Sequence, residues 1–114
     1  PIAIMEKELV MYTRTLGCPF VTIAKRVLGE HNVPYREILI DRDPLARNRV
    51  KTWTGFLSVP TLVVTEPGGI LPIEEPAPLE KGTSPQGIDR NYMITEPRDK
   101  QLLEWLQKHG LVES

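Results

Sequence analysis

An α/β fold, a mixed sheet with helices on its faces, is predicted by three features of the chain. Short apolar runs alternate with stretches of helical periodicity through the first half. The opening strand–helix–strand unit calls for two parallel strands joined by a right-handed crossover. Pro67-Gly68-Gly69 after the third strand is a turn signal that points to an antiparallel hairpin, hence to a mixed sheet of four strands.

The elements follow in order. Leu9-Val10-Met11-Tyr12 is an apolar run between polar residues and reads as a buried strand. Phe20, Ile23, Ala24, Val27 and Leu28 recur at the spacing of one helix face. Pro34 sets the end of that helix near Gly29 to Asn32. Tyr35 to Ile40 is a second strand, with Ile38 and Ile40 on one face. Asp43-Pro44 has the form of an N-cap and first helical residue. From there Leu45, Ala46, Val50 and Trp53 are expected to face the core, and Gly55 to cap the end. Thr61 to Val64 is the third strand. Ile70 to Ile73 is expected to be the fourth, at a sheet edge where Pro72 is tolerated. From Glu74 to about Asn91 the prolines and glycines break any period, which gives a long irregular insert. Tyr92-Met93-Ile94 is a short apolar patch with the look of one more strand. The last helix runs from Glu96 or Pro97 to His109, with Leu102, Leu103 and Leu106 as its stripe and Trp105 at the stripe's edge.

At 114 residues the chain is expected to be one domain with an ordinary core, 40% hydrophobic and 25% charged. A net charge of -1 gives no electrostatic case for nucleic acid or an anionic membrane. No apolar run is long enough to span a bilayer. The first residues lack the layout of a signal peptide. The single cysteine rules out an internal disulfide, which suits a reducing compartment; a cytoplasmic location is expected.

That cysteine, Cys18, stands where the first strand hands over to the first helix. Pro19 fits the first helical position, so Cys18 is expected to be the N-cap. Its sulfur would face unsatisfied backbone N–H groups and the positive end of the helix dipole. Both favour ionised sulfur, the reactive form. A free cysteine is often an inert buried residue instead. Strand-to-helix turns lie at the rim of a sheet, and that position argues for reactivity. Any disulfide exchange must be monothiol, because no second cysteine exists to resolve the intermediate. A self-contained zinc–thiolate site is excluded for the same reason.

Three segments resemble the glutaredoxin family on the thioredoxin fold, and together they cover roughly residues 8 to 65. Cys18-Pro19-Phe20-Val21 resembles the Cys-Pro-aromatic-Cys motif, with Val21 in place of the second cysteine. Asp41-Arg42-Asp43-Pro44 follows the second strand as it commonly does in the family. Thr54-Gly55-Phe56-Leu57-Ser58-Val59-Pro60 resembles the Thr-Gly-x-x-Thr-Val-Pro segment whose proline is cis. Beyond Val64 the family goes from its hairpin through Gly-Gly and Asp into the last helix, whereas here the Pro-rich insert intervenes.

The resemblance implies a thioredoxin-like fold and a glutathione-dependent thiol–disulfide oxidoreductase, or deglutathionylase, with Cys18 as nucleophile. Val59 and cis Pro60 would offer backbone to the cysteinyl unit of glutathione, with Ser58, Pro19 and Phe20 beside it. Arg14 or Thr15 takes the place where the family tends to carry lysine, and Arg47 resembles a polar position that meets the glycyl carboxylate. The γ-glutamyl end belongs near the start of the last helix, with Thr95, Glu96 and Asp99 as candidates, or Gly87 and Asp89 if Gly-x-Asp there is the displaced motif. Glutathione is expected as co-substrate, with no tightly bound cofactor, and glutathionylated or disulfide-containing proteins as partners.

Two other readings stand beside this one. A dimer could hold a [2Fe–2S] cluster through Cys18 and glutathione, although Pro19 and Val21 depart from the Cys-Gly-Phe-Ser pattern of such relatives. Alternatively, the fold could be a non-catalytic interaction module. Trp53, Trp105 and Tyr12 read as core residues. His31 and His109 stand near helix C-termini with no second metal ligand at a suitable spacing.

Overall fold

The computed structural model describes residues 7–16 and 18–112. Seven elements follow one another: β1 (Glu8–Thr13), α1 (Pro19–Glu30), β2 (Arg36–Leu39), α2 (Pro44–Thr54), β3 (Thr61–Thr65), β4 (Met93–Thr95) and α3 (Asp99–Lys108). They form one mixed sheet in the order β2-β1-β3-β4. β1 pairs parallel with β2 and antiparallel with β3, and β3 pairs antiparallel with β4. This is the thioredoxin-like α/β architecture.

Both faces of β1 are buried, which is why its sequence is continuously apolar rather than alternating. Leu9 and Met11 point to one side, where Ala24, Val27 and Leu28 of α1 and Leu102, Trp105 and Leu106 of α3 cover them. Val10 and Tyr12 point to the other, against Ala46, Val50 and Trp53 of α2. The Tyr12 and Trp53 rings meet edge to face at 5.3 Å. Ile38 and Ile40 join that second cluster.

The start and stop signals of α2 act as read, but the last helix begins later than the expected Glu96 or Pro97: Glu96 is left-handed at φ 47, Arg98 is the N-cap and Asp99 the first helical residue. Asp43 Oδ1 accepts from the backbone N–H of Leu45 at 3.1 Å and of Ala46 at 3.2 Å, which caps α2. Gly55 ends it at φ 76, where a side chain would be strained. Leu45 is a correction: it is 68% exposed, on the outer side of α2. Trp105 is another. It lies within the buried stripe of α3, at 2% exposure, and its indole N–H donates to the Asn91 carbonyl at 2.7 Å.

The fourth strand is also corrected. Ile70 to Ile73 is not a strand. Pro67 to Gly69 does turn the chain, with Gly69 N–H bonded to the Glu66 carbonyl at 2.8 Å. Pro72 then has no N–H to give, and only Ile73 reaches β3, donating to Val64 at 3.0 Å. The rest of that edge is taken by Met93, Ile94 and Thr95, all buried. The Tyr92-Met93-Ile94 patch is thus the true edge strand.

The insert covers the open side of β4. Gly87 N–H donates to Thr95 and Arg90 N–H to Met93, at 2.7 and 2.9 Å. The Arg90 guanidinium donates to the carbonyls of Trp53 and Ala77. The Trp53 indole N–H meets Glu75 at 2.9 Å. A bare strand edge would invite pairing with another chain, and here the chain's own insert occupies it.

Candidate active site

Cys18 is the N-cap of α1, in extended backbone at φ -129 and ψ 166, with Pro19 beginning the helix. Its carbonyl already accepts from Thr22 N–H at 3.1 Å. The sulfur does not cap the helix, contrary to the expectation that it faces the free N–H groups. It turns across the sheet rim instead and donates to the Val59 carbonyl at 3.5 Å. The side chain is half-buried, with one flank against the Val10–Tyr12–Trp53 cluster.

The Val59–Pro60 peptide bond is cis. Val59 and Pro60 are buried, and the Pro60 carbonyl accepts Glu96 N–H at 2.8 Å. Glu96 has φ 47, in the left-handed region that favours glycine. That single bond joins the end of β4 to the bend beside the thiol.

The sulfur opens into a cleft of about 550 Å³, walled by Pro19 and Phe20 of α1 and by Phe56, Leu57, Ser58 and Val59. Arg14, Ser84, Pro85 and Glu96 complete it. A second recess of about 470 Å³ lies alongside, lined by Arg14, Ile40, Asp41, Pro44, Arg47, Asn48, Lys51 and Leu57. Arg14 and Leu57 belong to both, so the two hollows adjoin. Pro44, Arg47, Asn48 and Lys51 share one face of α2, three and four residues apart. The Asp41 carboxylate accepts the Thr15 backbone N–H at 3.2 Å, and hydrogen bonding from Thr15, its side chain first and its backbone second, holds the Asp41 pKa below the ordinary carboxylate value.

Most of the residues singled out from the sequence meet here. Cys18, Arg14, Pro19, Phe20, Ser58 and Val59 share the cleft, Pro60 backs it, and Arg47 lies in the adjoining recess. Thr15 and Asp89 are not brought in. Thr15 is bound to Asp41 and lines neither hollow. Asp89 pairs with Lys108 at 3.0 Å and takes the Asn91 N–H at 2.8 Å, away from the sulfur. Of the alternatives near the last helix, Glu96 alone reaches the cleft. The Thr95 hydroxyl is buried against Thr61, and Asp99 pairs with Arg26. Phe56 and Leu57 were within the Thr54–Pro60 segment but not singled out. Ser84 and Pro85 carried no signal, because an insert without periodicity gives no hint of where it folds back.

A model of the glutaredoxin family matches residues 9–66, a little over half of the chain. No curated protein and no solved structure matches it. The matched span begins in β1, contains the Cys18 turn, and ends just past the cis proline and β3, so it holds the elements that bring the sulfur to Val59. The chain therefore belongs to the glutaredoxin family, whose members are generally thiol–disulfide oxidoreductases.

Proposed function

We propose that this protein is a glutathione-dependent thiol–disulfide oxidoreductase, a deglutathionylase that works through Cys18 alone. The observation that carries the reading is the placement of one half-exposed sulfur at the start of α1, in an open cleft, 3.5 Å from the Val59 carbonyl. The Cys18 thiolate attacks the glutathione sulfur of a mixed disulfide. A Cys18–glutathione bond forms, the old bond breaks, and the substrate thiolate leaves and takes a proton from water. A second glutathione, as thiolate, attacks the glutathione sulfur held on Cys18. Glutathione disulfide leaves and Cys18 is restored. No group within the chain can make that second attack, since Cys18 is the sole cysteine.

The walls suit this substrate. The cysteinyl backbone of glutathione pairs with the Val59 backbone where it lines the cleft, as a short added strand. The Arg14 and Arg47 guanidinium groups receive the glycyl carboxylate, bidentately where geometry allows. Phe20 and Ser58 flank the sulfur. The γ-glutamyl end lies toward Glu96, whose carboxylate suits the ammonium group there. Glutathione acts as co-substrate, with no tightly bound cofactor, and a cytoplasmic pool would supply it in reduced form.

The test is turnover of a glutathionylated peptide by the purified protein with reduced glutathione. Steady release of free peptide, absent in Cys18→Ser, supports the reading. No release above the uncatalysed rate removes it, and a brown glutathione-dependent dimer would favour the cluster-binding alternative.

A further inference from the structure

The recess beside the thiol cleft holds more positive charge than one glutathione carboxylate can match. Arg14, Arg47 and Lys51 line it against a single acid, Asp41, a surplus of two positive charges. The Asp41 carboxylate is held toward the Thr15 backbone N–H. Among the described residues none of the three cations forms an ion pair. Lys51 sits one turn beyond Arg47 on α2, about 6 Å further along the axis. The recess, about 470 Å³, is open to solvent and large enough to take a side chain beside a carboxylate. It adjoins the cleft through Arg14 and Leu57, so a chain leaving the reacting disulfide can enter it.

We infer that the Lys51 end of this recess receives an acidic side chain from the protein half of the disulfide. The substrates are then cysteines with an Asp or Glu close by in the sequence. This rests on the oxidoreductase reading and narrows it: glutathione takes Arg14 and Arg47, and the departing protein takes Lys51. Charge selects the partner chiefly by steering and register, as complementary surfaces do.

Binding tests the inference apart from turnover. Two glutathionylated peptides are titrated into Cys18→Ser, one with Glu flanking the cysteine and one with Gln. At low salt the acidic peptide binds about threefold to fivefold more tightly, the scale of an exposed ion pair. The ratio falls toward one as salt is raised. Adding Lys51→Gln brings the ratio down at low salt, and Lys51→Glu inverts it. Lys51 is exposed, so both substitutions leave the core intact. Equal binding of the two peptides, no binding of the acidic one, or a ratio that neither Lys51 change moves overturns the inference. Absence of turnover in the wild type sinks the oxidoreductase reading and leaves this ratio to be judged on its own.

Discussion

The Cys18 sulfur and the Val59 carbonyl lie 3.5 Å apart, though 41 residues separate them in the chain. Two turns meet there, one leading into a helix and one into a strand. β1 pairing with β3 over five residue pairs brings them together. The sulfur is thereby set beside the Val59 backbone at the rim of the cleft.

Incubation with glutathione disulfide should therefore place one glutathione on the protein, at Cys18. Mass spectrometry after digestion locates it, and Cys18→Ser should take up none. Kinetics with glutathione and a mixed disulfide should be ping-pong, because the proposed route passes through a glutathionylated enzyme. A sequential pattern would mean that the two thiol compounds bind together and react without that intermediate.

Arg47→Gln should raise the KM for the glutathionylated substrate about fivefold to tenfold with little change in kcat. The group is argued to bind the glycyl carboxylate equally in ground and transition states, and that signature is a KM effect. Arg47 is exposed and makes no ion pair among the described residues, so the fold should tolerate the change. A fall in kcat at constant KM would place the residue in the chemical step instead.

His109 makes stability depend on pH. It is buried at the end of α3, between Tyr92 and Trp105, and its Nε2 meets the Asn91 carbonyl at 2.6 Å. Burial lowers its pKa below the ordinary value of 6.5; the Asn91 contact and Asp89 oppose this, while Lys108 and Lys7 add to it. The unfolded chain then binds the proton more readily than the folded one. Stability is full above about pH 6.5 and declines as pH falls toward the lowered value. Thermal melts from pH 8 to pH 5 should show that decline, with a shallower slope in His109→Gln. Equal slopes would mean that His109 titrates alike in both states. Asp41 acts in a separate window. Its lowered pKa stabilises the fold above about pH 4 and ceases to do so at stronger acidity.

Arg90→Ala should loosen the insert. The guanidinium ties Ala77, in the insert, to Trp53, at the end of α2, by donating to both carbonyls. Losing both bonds should cost about 2 kcal/mol, the scale of two charge-assisted hydrogen bonds offset by water. Limited proteolysis should then cut between residues 74 and 91 at least several times faster than in the wild type. Unchanged cleavage would show that the backbone bonds to β4 hold the insert unaided.

Local chemistry was legible because it needs only neighbours. Cys18-Pro19 marks a helix start, Asp43-Pro44 another, and Gly55 a stop, each from backbone groups within a few residues. Edge pairing is a contest between distant segments. Ile70 to Ile73 had the right composition but lost the β3 edge to Met93–Thr95, since Pro72 cannot donate and the later segment buries three residues in a row. The same folding-back of the insert brought Ser84 and Pro85 to the cleft and left Asp89 with Lys108. Residue types alone could not decide those placements, because hydrogen bonds and burial across tens of residues settle them only once the chain is closed.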